Sequence, residues 1–394
     1  MSIRNQGGRR ERRRVPAGPA PAPSPRALSV VIAAGGTGGH IYPGLAVAEA
    51  LRRAEPEAQI CFLGTGRGHQ GRLQAPAGYP LHLVDMVPFA GRQAARLPWA
   101  LARSTVQARR VLARVGAQVA VGMGAYVSVP LIAAARLSGV PSLIHESGAV
   151  PGRANRWAAR LTGNVATAFA EATAAFGHAA DVRTVGMPLA AGLERFDRAG
   201  SRAKARAAYG LDETTRFVLV NGGSQGASSL NRLAVGLAGR WRHRGDVRLL
   251  VKTGGRHYDE TSAALAASGG AHLVELTAFI DDMELAYAAA DMAVCRTGAG
   301  TVAELAVVGL PAVLVPYPHA PFDHQARNAA AMVAAGAAVM VRDHEATAAV
   351  VGPRLEEILE DRSRLEAMSA ALERLARPDA ADEMAAWTRQ LARR

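Results

Sequence analysis

Acidic residues are missing from a long central stretch of this chain. None occurs between Asp85 and Glu146, whereas Arg92, Arg96, Arg103, Arg109, Arg110, Arg114 and Arg136 fall there. Cysteine is scarce as well, with Cys61 and Cys295 the only two in 394 residues. Two distant cysteines inside apolar runs imply no disulfide framework and fit a reducing cytoplasm. Aromatics make up only 5%, and abundant alanine leans towards helices packed on sheets. No run reads as a membrane span. The longest uncharged stretch, between Arg114 and Arg136, is broken by Gly122, Gly124, Ser128 and Pro130, and such breaks leave backbone groups unpaired in lipid. No apolar segment follows the early arginines, so no signal peptide is expected. No Asp-x-Asp occurs, so one common device for holding a metal on a diphosphate is missing, and neither metal nor cofactor is expected.

What is present is length and alternation. A chain of 394 residues suits two domains. Residues 1–27 read as an extended, basic Pro/Ala-rich tail, carrying Arg4, Arg9, Arg10, Arg12, Arg13, Arg14 and Arg26 against Glu11. From Leu28 onward, apolar β-rich runs alternate with helix-length segments. Strands are expected at Leu28–Ala34, Gln59–Leu63, Leu81–Val84, Gln118–Met123 and Ser142–His145. The pattern weakens around Ala180–Glu194. It restarts at Arg216–Val220, Val247–Lys252, His272–Leu276, Met292–Cys295, Ala312–Val315 and Ala338–Val341. Near-continuous apolar strands separated by helices predict an α/β chain with parallel sheets covered on both faces. The reading gives an N-terminal domain over 28–192 and a second over 193–379. In the last segment, 380–394, Met384, Trp387 and Leu391 share one apolar helix face.

Two glycine-rich turns mark equivalent places in these arrays. The first strand runs into Gly35-Gly36-Thr37-Gly38-Gly39-His40, with Pro43 suited to a first helical turn. The second array opens with Asn221 and then Gly222-Gly223-Ser224-Gln225-Gly226. A glycine turn between strand and helix lets backbone N–H groups approach an anion where the helix favours negative charge. Neither turn ends in Gly-Lys-Ser/Thr, and no acid closes the second strand as a dinucleotide site requires. The two common readings, nucleoside triphosphatase and dinucleotide oxidoreductase, therefore drop out. His40 at the end of its turn is a candidate general base with a pKa near neutrality. Ser224 adds a hydroxyl to the amide donors. A third strand-turn-helix, Cys295 to Glu304, can face a diphosphate, with Glu304 one turn further in to accept ribose hydroxyls. Arg296 can offset diphosphate charge, and the polar run to Gln325 and Asn328 suits sugar hydroxyls.

Together these motifs resemble the MurG family of bacterial cell-wall glycosyltransferases, glycosyltransferase family 28. The resemblance also rests on Gly122 to Ser128, His145-Glu146, Val150-Pro151-Gly152 with Asn155-Arg156, Phe279 to Met283, and Asp323-His324-Gln325 with Asn328. These run in order over nearly all the chain after residue 27. The resemblance implies the GT-B architecture, two Rossmann-like domains facing a cleft, with the last helix crossing back to the first domain. It implies inverting transfer of GlcNAc from UDP-GlcNAc to the 4-hydroxyl of the muramyl sugar in lipid I, giving lipid II. The second domain would hold the donor: Ile280 on uracil through its backbone, Ser224 and the helix start Ala299, Gly300, Thr301, Val302 and Ala303 on phosphates, Glu304 on ribose, Gln325 and Asn328 on the sugar. Thr37, Gly38 and Gly39 would complete the cleft beside His40, with Tyr126, His145, Glu146 and Asn155 on the acceptor side. Three motifs depart from the family pattern: Ser147-Gly148 follows His145-Glu146, Leu189-Ala190 follows Gly186-Met187-Pro188, and His69-Gln70 stands where Leu-Glu is usual.

The basic window then gains a purpose. Arg103, Arg110 and Arg114 share a helix face, Arg96 precedes its start, and Phe89, Trp99 and Leu101 supply apolar groups. Basic residues beside exposed apolar ones attract an anionic membrane surface. The expected place is the cytoplasmic face of the membrane, peripherally bound, beside a cell-wall synthesis complex and with no nucleic-acid partner. The residues leave open a transferase with another lipid or antibiotic acceptor, a UDP-GlcNAc 2-epimerase, and a silent nucleotide-sugar-binding subunit.

Overall fold

In the computed structural model, residues 27–35, 38–66, 78–87 and 96–393 are described. Tail residues 1–26, Thr37, Phe89 and His69-Gln70 lie outside them. In the first domain the elements run β1 (Ser29–Ala33), α1 (Gly38–Ala54), β2 (Gln59–Gly64), β3 (Leu81–Leu83), α2 (Leu97–Val115), β4 (Val119–Gly122), α3 (Ala125–Leu137), β5 (Ser142–Glu146), α4 (Arg153–Thr162), β6 (Asn164–Thr167) and β7 (Asp181–Thr184). Next come α5 (Ala191–Glu194) and α6 (Arg198–Ala208). The second domain holds β8 (Arg216–Asn221), α7 (Ser228–Arg240), β9 (Val247–Lys252), α8 (Tyr258–Ala267), β10 (Val274–Thr277), α9 (Met283–Ala289), β11 (Met292–Cys295), α10 (Ala299–Val308), β12 (Ala312–Leu314), α11 (His324–Ala334), β13 (Ala338–Met340), α12 (Ala348–Glu360) and α13 (Arg362–Leu375). The last helix is α14 (Ala380–Ala392).

Each domain is one parallel sheet, as the alternation predicts. The orders are β3-β2-β1-β4-β5-β6-β7 and β10-β9-β8-β11-β12-β13. Both reverse direction once, between β1 and β4 and between β8 and β11. At such a switch point the connecting chains leave to opposite sides and open a crevice at the strands' carboxyl ends. That crevice is bordered in one domain by Gly35, Gly38–His40 and Gly122–Ala125, in the other by Gly222–Gly226 and Arg296–Ala299.

Strands buried on both sides carry the cores. Val30 and Ile32 face α1 and α14, whereas Val31 and Ala33 face α2 and α3. In the second domain Val218 and Val220 pack with α7 and α12, and Phe217 and Leu219 with α9 and α10. Met384, Trp387 and Leu391 of α14 are buried in the first domain's core. The chain thus crosses between domains twice. Arg53 of α1 pairs with Asp382 of α14 at 2.8 Å and with Glu194 of α5 at 3.2 Å, where the two crossings meet.

Three details differ from the sequence reading. β6 and β7 were not anticipated: each has four residues, and three of the four in Asp181-Val182-Arg183-Thr184 are polar because the strand closes a sheet edge. The strand expected from His272 begins at Val274, after a 3₁₀ turn over Ala271–Leu273. Helix α1 starts at Gly38, so His40 lies in its first turn and Pro43 sits inside the helix, where it removes one backbone bond.

Candidate active site

On the first domain's edge, the turn from β4 into α3 holds two residues of positive φ, Gly124 at 92° and Ala125 at 60°. Ala125 pays a steric penalty there that glycine would not. The bend brings α3 in so that Gly124 lies directly against the His40 ring. A Cβ at position 124 would sit 2.8 Å from the ring's Cδ2. His40, Tyr126, Glu146 and Asn155 line one pocket of about 280 Å³. Packing desolvates the imidazolium and lowers the His40 pKa to about 4. The side chain is therefore neutral at physiological pH, not poised near neutrality as its position suggested.

The other acceptor-side residues divide. Tyr126 faces the pocket with its hydroxyl 3.3 Å from Thr65 Oγ1. Glu146 is a buried organiser: it accepts from the Gly148 N–H at 2.9 Å, the Gly152 N–H at 3.0 Å and Asn155 Nδ2 at 3.0 Å. Burial raises its pKa and these donors oppose the rise. His145 does not line the pocket. It is fully buried and donates from Nε2 to the Gly186 carbonyl at 2.9 Å, so it ties β5 to the segment leaving β7. Desolvation lowers its pKa to about 4.

On the second domain's edge, the Gly222–Gly226 turn packs on the end of β9. A Cβ at Gly226, where φ is 73°, would collide with the Thr253 carbonyl. This close approach fixes the turn and leaves Ser224 exposed. Helix α10 begins after Gly298 with no side-chain cap, so the Ala299, Gly300 and Thr301 amides remain as donors. Val302 and Ala303 fall out of the expected phosphate set. The Val302 amide already bonds to the Gly298 carbonyl at 3.0 Å and its side chain is in the core, and the Ala303 amide belongs to the next helical bond. Glu304 is held from behind by Tyr287, whose hydroxyl donates to Oε2 at 2.6 Å. Burial raises the Glu304 pKa, opposed by Tyr287 and by the charge of Lys252. Lys252, at the end of β9, is itself pulled down by burial.

Gln325 accepts through Oε1 from the Tyr317 N–H at 2.9 Å and from the Thr297 N–H at 3.3 Å. This leaves its amide nitrogen for a ligand. Ile280 packs its side chain on the core beside α9, and among the described residues its backbone has no hydrogen-bond partner. Two expectations are corrected. Arg296 is consumed internally: it pairs with Asp343 at 2.6 Å and donates to the Val315 and Pro316 carbonyls, both at 3.1 Å, and to Ser229 Oγ at 2.9 Å. Asn328 is a strut across the cleft, donating to the Thr297 carbonyl and accepting the Ala149 N–H from the other domain, each at 3.0 Å. Tyr287 and Lys252 were missed. The available signal was weak: a lysine ending a largely apolar strand at the carboxyl edge.

Two family models match the chain. The glycosyltransferase family 28 N-terminal domain matches residues 30–167 and the C-terminal domain residues 217–384. The chain is 42% identical over 361 residues to the UDP-N-acetylglucosamine--N-acetylmuramyl-(pentapeptide) pyrophosphoryl-undecaprenol N-acetylglucosamine transferase of Paenarthrobacter aurescens, covering 91% of this chain and 95% of that protein. It belongs to glycosyltransferase family 28. A protein of the same name from Mycolicibacterium smegmatis is 40% identical over 378 residues, covering 94% of this chain and 96% of that protein. Among solved structures, Acinetobacter baumannii MurG superposes with a TM-score of 0.73 at 29% identity, covering 92% of this chain and 99% of that one. A UDP-GlcNAc 2-epimerase from Neisseria meningitidis shares the architecture, with a TM-score of 0.64 at 12% identity. At that identity the likeness shows the fold alone.

Proposed function

We infer that this family 28 chain transfers GlcNAc from UDP-GlcNAc to the 4-hydroxyl of the muramyl sugar in lipid I, with inversion, giving lipid II. The observation that carries the reading is Glu304, fixed by Tyr287 beside the open α10 amides, in a chain that aligns over both domains with transferases of that name. The carboxylate takes ribose hydroxyls, the Ala299–Thr301 amides and Ser224 the diphosphate, the Ile280 backbone the uracil, and the Gln325 amide the sugar. Charge building on the leaving diphosphate is met by amides already oriented, which need no reorganisation as the bond breaks. His40 faces this edge from the other domain as the base. Its imidazole is neutral before substrate arrives. Two bound diphosphates favour the protonated form and raise its pKa towards a useful value.

The acceptor is lipid-linked, so the enzyme works at a membrane surface, which we place on the cytoplasmic side beside other cell-wall enzymes. No helix among the described residues is long and apolar enough to cross a membrane. The docking surface is the outer stripe of α2, where Trp99, Val106, Arg110 and Arg114 are exposed. Arg96 stands exposed at the residue before the helix, with no side-chain capping bond. Leu101 is not part of the stripe, because it packs on the core beneath, and Arg103 pairs with Asp85 at 2.9 Å. The decisive assay supplies radiolabelled UDP-GlcNAc and a lipid I analogue to the purified chain. Labelled disaccharide is the expected product, and folded protein that makes none would refute the assignment.

A further inference from the structure

A second cavity of about 680 Å³ opens between the domains, lined from both sides. Helix α4 contributes Arg153 and Arg156 to one wall, and α11 contributes His324 and Arg327 to the other. Among the described residues no acidic one lines it. Apart from the longer-range pull of Glu146 on Arg156, these three arginines have no hydrogen-bond or ion-pair partner among the described residues. Arg296 and Arg342 nearby are both ion-paired. Unpaired guanidinium groups converging on one cavity raise its positive potential and favour an anionic occupant. The volume is that of a small-molecule site and not of a single ion.

The diphosphates have places elsewhere. No residue of the Gly222–Gly226 turn or of the α10 start lines this cavity, and neither do Gly35, Gly38 or Gly39. Phe322 stands at the rim, 73% exposed. It is held at φ 57° with Asp323 at φ 52°, two left-handed non-glycine residues in succession, anchored by the Asp323–Arg342 pair at 2.8 Å. Such strain is kept where surrounding structure enforces it, commonly at a ligand clamp. The result is an apolar ring over a cationic floor, suited to a ligand with aliphatic parts and separated carboxylates.

We propose that this cavity seats the peptide of the acceptor, with Arg156 and Arg327 binding its carboxylates from opposite domains. The inference rests on the acceptor being a muramyl peptide, as the function above has it. Binding both arginines at once draws the domains together over the acceptor, which makes peptide recognition part of cleft closure.

The test is equilibrium binding by calorimetry to the full chain, using a soluble N-acetylmuramyl pentapeptide without diphosphate or lipid. Arg156→Gln and Arg327→Gln should each weaken binding about ten-fold. The same peptide with its carboxylates amidated should bind the wild type no better than the free acid binds the variants. Both arginines are exposed, and melting curves matching wild type establish that the variants fold. Unchanged affinity in the variants, or equal affinity for the amidated peptide, overturns the proposal. Inorganic pyrophosphate is the third probe. If it loses affinity in both variants as much as the peptide does, the site belongs to a phosphate and the proposal also fails. Binding needs no turnover, so a failed transfer assay alongside arginine-dependent peptide binding would sink the transferase reading alone.

Discussion

His40 is held in its neutral form by the same packing that brings it to the pocket it shares with Tyr126 and Glu146, and this has a kinetic consequence. The pH dependence of kcat/KM reports the free enzyme, whereas that of kcat reports the enzyme with substrates bound. Free His40 protonates only as pH falls through about 4, so the acid limb of kcat/KM should lie there if the fold survives. The limb of kcat should lie about one unit or more higher, because bound diphosphates stabilise the imidazolium. Coincident limbs would count against His40 as the base. Tyr287 offers a second test. Tyr287→Phe removes the donor that both orients Glu304 and favours its ionised form. KM for UDP-GlcNAc should rise about ten-fold, from a lost hydrogen bond to a charged group, with kcat within about two-fold and the defect larger at lower pH. Glu304 was legible because it sits at a fixed offset from a glycine turn. Tyr287 was not, since it reaches Glu304 from another helix and no spacing rule links them. Arg296 was misread for the same reason: its neighbours in sequence say nothing of Asp343.

Helix α2 shows what a one-dimensional pattern resolves and what it does not. The acid-free window located a basic helix, and the period placed Arg103, Arg110 and Arg114 on one side. Which apolar residues join them depends on where the sheet lies, and Leu101 proved to face inward while Val106 faces out. The short strands β6 and β7 escaped for a related reason, because four residues carry too little periodicity to separate from a loop. A surface stripe of this kind predicts partition onto anionic vesicles. Neutralising Arg110 and Arg114 with glutamine should weaken it about thirty-fold at low salt, at roughly 1 kcal/mol per charge, and leave weak binding to neutral vesicles unchanged. Co-sedimentation measures both, and equal partition of the variant and wild type on anionic vesicles would exclude this face.

At the scale of the molecule, the two sheets repeat one strand order, and the repetition sets two switch points on either side of a single cleft. That much follows from two glycine turns in tandem βα arrays. The strut from Asn328 to Ala149 and the Arg53 cluster do not, because they depend on how the domains meet. The covering of the first domain by α14 is the largest such contact. Trp387→Ala should cost about 3–5 kcal/mol of stability, read as an earlier urea transition, while UDP-GlcNAc binding by the second domain persists. An unshifted transition would mean that α14 contributes little to the first domain's stability.

The late position of α14 bears on how the protein is made. Translation delivers β1 and β4 early, yet the Trp387 side chain that seals their face leaves the ribosome only after every element of the second domain. Of the two domains, the first to be synthesised is therefore the later to be completed. While the whole second domain is being made, an apolar patch over Val30, Ile32, Val119 and Val121 stays without its final cover, and nascent-chain chaperones should find their longest-lived target there.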